Sequence, residues 1–214
     1  LTGVDPTRRL HALASALLER HGVLTRGALS GELVPGGFAG VYPVLKALEE
    51  SGRARRGYFV EGLGGAQFAL PGAVDRMRAA ELHSPGGPAD GRPMAQVLAA
   101  GDPASPFGAA LPWPEREADV AHRPGRKAGA LVVSVEGEAV LFVEKGGRSI
   151  LSFTSDAEAL GHAAAALVRS VTEGAVGALT VERADGEPVF ESPLARALEE
   201  AGFRPSSRGL RLRA

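Results

Sequence analysis

The chain has 214 residues, of which 44% are hydrophobic and 23% charged, and these values are typical of an ordinary globular protein. The absence of cysteine excludes a disulfide scaffold, a thiolate metal site and a cysteine nucleophile, and no apolar run is long enough to cross a membrane. The balance of 24 basic and 25 acidic side chains hides an uneven distribution: residues 1–80 carry ten basic and seven acidic residues, residues 81–120 carry two and six, and the last eleven residues contain four arginines and no acid. Because no secretory leader pattern is present either, the sequence predicts a cytoplasmic protein.

The first 82 residues are predicted to form a winged helix. The predicted elements are helices over 7–20, 26–32 and 38–51 and strands over 55–60 and 67–70. Thr25 is placed to cap the second of these helices, and three glycines form the turn between the two strands. Pro71 then begins another helix. Three short helices followed by a glycine-tipped hairpin are typical of a winged helix.

Residues 83–93 are rich in Ser, Pro and Gly and are predicted to be a linker, and residues 94–214 to be a β-barrel-like α+β module. The predicted elements of this module are strands over 97–100, 130–135, 139–144 and 149–153, a helix over 156–172 capped by Asp156, a hairpin of 179–183 with 189–191 around Asp185-Gly186, a helix over 193–201 and a strand over 209–213. Trp113 lies between two prolines and predicts an ordered, packed loop. The predicted fold class of the whole chain is therefore α+β.

Motifs for catalysis are missing from the sequence. There is no phosphate-binding loop of the Gly-x4-Gly-Lys-Ser/Thr type, no dinucleotide fingerprint and no Gly-x-Ser-x-Gly elbow. The five histidines do not have metal-ligand spacing. The neighbouring acids Glu49-Glu50 and Glu199-Glu200 point about 100° apart on a helix and do not form a facing pair. We therefore predict no catalytic residue, no metal and no cofactor in this segment.

The start of the predicted wing is basic, with Arg53, Arg55 and Arg56 close to Tyr58. Two interpretations fit this pattern: contact with a phosphate backbone, or a hairpin edge that charge protects from pairing. The preceding helix offers Lys46 and two glutamates on its outer positions and no side chain suited to base edges, so the sequence disfavours specific reading of the major groove.

Two more basic segments lie in the predicted second module. The loop of His122, Arg123, Arg126 and Lys127 fits either a phosphate or nucleic-acid contact or a charged surface loop. At the end of the chain, alternation predicts that Leu210 and Leu212 share one strand face and arginines the other. The complete set of predicted DNA-binding residues is Arg53, Arg55, Arg56, Tyr58, His122, Arg123, Arg126, Lys127, Arg208, Arg211 and Arg213.

Several stretches resemble the C-terminal region of bacterial large helicase-related proteins, which are superfamily 2 ATP-dependent DNA helicases. They are GGFAGVYPVL at 36–45, RGYFVEGLGGAQF at 56–68, AALPWP at 109–114, HRPGRKAGA at 122–130 and RGLRLR at 208–213. The resemblance covers nearly the whole chain. It implies that the chain is the end of a longer motor, in which ATP and Mg²⁺ are bound by upstream helicase motifs.

The resemblance also implies a function, namely that of a non-motor module of a DNA-repair helicase. Its implied partners are DNA, single-stranded or 3′-tailed, the upstream helicase modules, and further copies of itself. One alternative is an oligomerisation module without DNA contact. Another is a base-excising DNA glycosylase, because this region of the family is similar to tandem winged-helix glycosylases. Their Gln-x-Gln motif has no counterpart here, since Gln67 and Gln96 stand alone.

Overall fold

A computed structural model of the chain describes residues 5–83, 93–102, 104–116 and 122–213. The chain divides into two compact units. One contains Leu1–Pro85 together with Ala109–Pro112, and the other contains Gly86–Gly108 and Trp113–Ala214. The predicted linker, apart from its two ends, lies outside the described residues. Within the described ranges, no helix has the length and apolar character needed to span a bilayer.

The first unit is a winged helix, as predicted. Its elements are α1 (Pro6–His21), β1 (Val23–Leu24), a 3-10 helix (Gly27–Gly31), α2 (Gly37–Glu50), β2 (Arg55–Gly57), β3 (Gln67–Ala69) and α3 (Pro71–His83). The three strands form an antiparallel sheet in the order β1-β3-β2. The predicted cap is confirmed, because the Thr25 hydroxyl accepts a hydrogen bond of 3.1 Å from the Ala28 N–H. The apolar faces of the helices meet in one core around Leu17, Leu45 and Phe68.

The first wing strand ends at Gly57, three residues before its predicted end. The fully buried side chain of Gln67 explains the difference. Its Oε1 accepts hydrogen bonds of 2.9 Å from the N–H groups of Phe59 and Val60. Its Nε2 donates to the carbonyls of Val60 at 2.7 Å and Gly64 at 2.8 Å. One side-chain amide thus satisfies backbone groups that strand pairing would otherwise satisfy.

The second unit contains the remaining strands and two helices. Its elements are β4 (Ala95–Ala99), β5 (Leu131–Val135), β6 (Glu138–Val143), β7 (Ser149–Ser152), α4 (Ala157–Thr172), β8 (Leu179–Val181), β9 (Arg183–Ala184), β10 (Glu187–Pro188), a 3-10 helix (Val189–Glu191), α5 (Leu194–Ala201), β11 (Arg204–Ser206) and β12 (Gly209–Leu212). Six strands pair in the order β10-β9-β7-β6-β5-β4, and three more in the order β11-β12-β8. This confirms the α+β class, while the strands in the described ranges form two open sheets and not a closed barrel.

The central meander β5-β6-β7 and the helix that follows it were both predicted. The strands pair antiparallel, and α4 packs on the sheet through a row of small and branched side chains that includes Ala163, Ala164 and Leu167. The carboxylate of Asp156 accepts a hydrogen bond of 2.8 Å from the Ala159 N–H, which caps the helix as predicted.

The predicted hairpin of 179–183 with 189–191 is wrong in its strands, although a hairpin does turn at Asp185-Gly186 as predicted. Strand β8 pairs with β12, β9 forms a two-residue hairpin with β10, and Val189–Glu191 is a 3-10 helix. The Asp185 carboxylate accepts hydrogen bonds from the N–H and hydroxyl of Ser152 at 2.8 and 2.6 Å and from the Arg116 guanidinium. These bonds hold the β9–β10 turn against β7, so the chain changes sheets between β8 and β9.

The predicted packed loop around the single tryptophan is confirmed. Trp113 stacks with Phe107 and Phe153, at centroid distances of 6.2 and 6.1 Å, and meets Phe142 edge-on at 5.5 Å. Gly108 has a φ of 71°, and a Cβ there would lie 2.4 Å from the indole nitrogen of Trp113. The loop therefore requires glycine at this position.

Candidate nucleic-acid interface

The wing presents its predicted basic residues to solvent. Arg53, Arg55 and Arg56 are all exposed, and the Tyr58 side chain is exposed with its hydroxyl accepting a hydrogen bond of 3.1 Å from the Gly62 N–H. Within the described residues, the side chains of Arg53 and Arg55 have no hydrogen bond or ion pair. The wing thus holds two unpaired guanidinium groups close to an exposed aromatic ring.

Arg56 differs from its two neighbours. It lies opposite Phe68 in the β2–β3 register, and its guanidinium carbon is 5.9 Å from the centre of that ring. This cation–π contact covers the buried ring while leaving the guanidinium edge in solvent. Arg56 therefore contributes to the packing of the wing as well as to its charge.

The loop of residues 122–127 uses most of its predicted binding residues internally. The half-buried Arg126 guanidinium donates to four backbone carbonyls. They are those of Ser105 at 2.7 Å, Asp102 at 3.0 Å, Phe107 at 3.2 Å and Gly101 at 3.3 Å. The donors that were predicted to contact DNA are thus occupied by an irregular segment of this chain. Carbonyl acceptors have no signature in the sequence, so nothing in the pattern indicated this contact.

Two other residues of the loop share one acid. The Nε2 atom of His122 lies 2.6 Å from Glu144 Oε1, and the Nζ atom of Lys127 lies 3.3 Å from the same oxygen. Arg123 is exposed and, among the described residues, has no hydrogen bond or ion pair. Of the four basic residues predicted in this loop, Arg123 is the one whose charged group is unpaired within the described part of the chain.

The end of the chain has the alternation that the sequence predicted. Leu210 and Leu212 are buried, whereas Arg211 and Arg213 are exposed. Arg211 lies directly opposite Arg204 in the β11–β12 register, and both are exposed. Like charges placed opposite each other repel, so this sheet face favours an anion.

Arg208 lies in the turn before β12 and is also exposed. Together with Arg211 it lines a polar cleft that Arg148 also lines. The sequence did not indicate that Arg148 lies near these residues, because Arg148 is about 60 residues away from the other two arginines in the chain.

No group of three or more His, Asp or Glu side chains is arranged to hold a metal ion in the portion of the chain that the structure describes. Three basic surfaces, which are the wing, residue 123 of the loop and the last sheet, each carry guanidinium groups suited to binding phosphate groups.

Comparison with known proteins agrees with the resemblance noted in the sequence. Residues 3–89 match the winged-helix domain of large helicase-related protein. The chain is 51% identical to a protein of Mycolicibacterium smegmatis named Lhr helicase/probable uracil glycosylase and 37% identical to the Lhr helicase/uracil glycosylase of Escherichia coli. The alignments cover 98% and 97% of this chain but 14% and 13% of the two relatives, so the chain spans about one seventh of their length. The chain therefore belongs, over nearly its whole length, with the C-terminal region of the large helicase-related proteins.

Proposed function

We propose that this chain is the DNA-contacting, non-motor module of an ATP-dependent DNA-repair helicase that acts in the cytoplasm. The observation that supports it best is the wing, where two arginines without a partner in the described residues lie on a hairpin that Gln67 holds in shape. ATP and Mg²⁺ are bound by helicase modules outside the chain, and the DNA is single-stranded or 3′-tailed.

Contact through the wing is non-specific in sequence. Each guanidinium that neutralises a phosphate releases counterions, so affinity falls as salt increases. The exposed side of α2 carries the Lys46–Glu50 ion pair at 3.6 Å, and this pair supplies no bidentate donor for a base edge. The geometry therefore favours recognition of the backbone over recognition of bases.

The test is to measure binding of the 214-residue chain to a fluorescent oligothymidylate over a range of salt concentrations. Replacing both Arg53 and Arg55 with alanine is expected to lower the slope of log K against log salt by about 0.7 for each phosphate that the variant no longer neutralises. The matched control replaces Arg8 and Arg9, two exposed arginines of α1, with alanine. Equal slopes for the two double variants, or wild-type binding that is indifferent to salt, would refute the wing as the contact.

A glycosylase is the second candidate function, and the names of the two relatives favour it. Incubation of the chain with uracil-containing DNA, followed by detection of abasic sites, distinguishes this candidate from simple binding. Uracil-free DNA of the same sequence is the control. Abasic sites that form with the uracil-containing strand alone would make the module an enzyme.

We also propose that the chain contributes to self-assembly. Light scattering of the purified chain at increasing concentration tests it directly, and a strict monomer at high concentration would contradict it. Assembly without any affinity for DNA would instead support a purely oligomerising module.

A further inference from the structure

A polar cleft of about 400 Å³ lies in the second unit. Three stretches that are far apart in the sequence form its walls. The lining residues are Gly146 and Arg148 from the turn after β6, Ala178, Thr180 and Glu182 from β8 and its ends, and Ser206, Ser207, Arg208 and Arg211 from β11, β12 and their turn. We call this feature the arginine cleft.

The backbone of the first wall is firmly anchored. The carbonyl of Arg148 accepts hydrogen bonds from the N–H groups of Glu182 at 2.8 Å and Arg183 at 3.0 Å. Gly147 has a φ of 75°, and a Cβ on it would lie 2.6 Å from a methyl carbon of Leu179. The turn therefore sits tightly on β8, and the position of Arg148 depends on main-chain contacts and not on its own side chain.

The opposite wall is anchored in the same way. Gly209 has a φ of 139°, and a Cβ on it would lie 2.0 Å from the carbonyl oxygen of Val181, so β12 approaches β8 as closely as glycine allows. The Ser206 hydroxyl donates a 2.7 Å hydrogen bond to the Gly209 carbonyl and closes the turn that carries Arg208. Arg211 lies directly opposite Thr180 in the register, so both side chains share one face.

The charges that line the arginine cleft do not balance. Its walls carry three guanidinium groups and a single carboxylate, that of Glu182. The Arg148 Nε atom lies 3.8 Å from Glu182 Oε1, and the two side chains are 73% and 35% exposed, so the pair is long and solvated and contributes little stability. The side chains of Arg208 and Arg211 have no hydrogen bond or ion pair among the described residues. The cleft therefore has a net positive charge on a pre-organised backbone.

We propose that the arginine cleft binds phosphate groups of a nucleic-acid backbone. A guanidinium fork matches the geometry of two phosphate oxygens, and the exposed hydroxyl of Ser207 in the cleft wall is available to donate to a third. Arg208 and Arg211 bind the phosphate directly. Arg148 leaves its long, solvated pair with Glu182 and binds the phosphate through its guanidinium fork. The site is separate from the wing and rests on the proposed function only in taking DNA as the source of the phosphate.

The test uses the 214-residue chain and two probes, an oligothymidylate of eight nucleotides and its uncharged methylphosphonate counterpart. Arg148→Ala and Arg211→Ala are each expected to weaken oligothymidylate binding about fivefold at 0.1 M salt, which follows from a salt slope of about 0.7 per phosphate contact. Glu182→Gln is expected to tighten binding, because it removes the negative charge from the cleft. Arg196→Ala on α5 is the control, since that guanidinium is 86% exposed and pairs with Glu200 outside the cleft.

The outcomes separate this site from the wing. Equal binding of both probes, or Arg148→Ala and Arg211→Ala variants that match Arg196→Ala, would refute the proposal. Binding of inorganic phosphate that oligothymidylate does not displace would show a site for free phosphate and overturn the assignment to nucleic acid. If the wing variant binds normally while the cleft variants do not, the wing proposal fails and the cleft proposal stands. Thermal unfolding of each variant confirms that the fold is intact.

Discussion

The wing and the loop of residues 122–127 look alike in the sequence, since both combine glycine with several basic side chains. The structure uses them in opposite ways. In the wing, Arg53 and Arg55 extend into solvent without a partner in the described residues. In the loop, the guanidinium of Arg126 is turned inward to four carbonyls, and His122 and Lys127 share one glutamate. The number of arginines in a loop therefore does not measure its capacity to bind DNA.

Unsatisfied backbone groups account for the difference. Gly101, Asp102 and Ser105 lie outside any helix or strand, and their carbonyls need donors that a strand partner would normally supply. Arg126 supplies them. In the wing, Gln67 already performs this task, so the arginines nearby remain available.

The largest effect expected from this contrast is on stability. Arg126→Ala removes donors from four carbonyls of a partly buried segment, and we expect the free energy of unfolding to fall by about 3 kcal/mol. Arg123→Ala, three residues away, is expected to change it by less than about 0.5 kcal/mol. Urea unfolding of both variants at neutral pH is the measurement.

Arg126→Lys sharpens this result. Lysine keeps the charge but has a single ammonium that does not reproduce the spread of a guanidinium over four acceptors. We expect the free energy of unfolding of this variant to fall by most of the amount expected for Arg126→Ala. Stability close to that of the wild type would mean that charge alone, and not the fork geometry, holds the loop.

A smaller effect is expected in the wing, where Gln67→Ala leaves two partly buried N–H groups without an acceptor and costs about 2 kcal/mol. Faster hydrogen exchange of the Phe59 and Val60 amides is the direct measurement, because Gln67 accepts from both. Gln96→Ala is the matched control, since Gln96 is exposed on β4. Unchanged exchange at these two amides would show that the wing keeps its shape without the glutamine.

The elements that local signals specify were the ones that the sequence predicted. Helix spacing, the caps at Thr25 and Asp156 and the alternation around Leu210 depend on neighbouring residues, and all of them hold in the structure. The early end of the first wing strand and the strand pairing around the Asp185-Gly186 turn depend on side chains that bond to the backbone of other segments, namely those of Gln67 and Asp185. Sequence patterns do not record such contacts.

The candidate interface follows the same rule. The basic residues themselves can be identified in the sequence. Whether the charged group of each is paired depends on the residues that surround it in the fold. Arg126 was assigned to DNA because its four carbonyl partners left no trace in the sequence. Arg148 was not identified, because only the pairing of β8 with β12 brings Arg208 and Arg211 to the cleft that Arg148 also lines.

The smallest effect is expected for a charged cluster in the first unit, in which Glu32 pairs with Arg20 and His21 at the end of α1. Partial burial acts to raise the pKa of Glu32, but hydrogen bonds from Arg20 and His21 outweigh it and bring the pKa below its usual value of 4.5. A carboxyl whose pKa is lowered on folding contributes stability that is present above the unfolded value and is lost as pH falls through the folded value. Its contribution is therefore complete at neutral pH, begins to decrease near pH 4.5 and is lost as the pH falls below the lowered pKa of the folded state.

Glu32→Gln tests this directly. We expect it to lower the free energy of unfolding by less than about 1 kcal/mol at pH 7, because the pair is partly solvated, and by less at pH 3 than at pH 7. Glu19→Gln is the control, since Glu19 is exposed on α1, the helix of Arg20 and His21, and, among the described residues, forms no ion pair. A deficit for Glu32→Gln that stays constant between the two pH values would mean that the glutamate acts through packing and not through its charge.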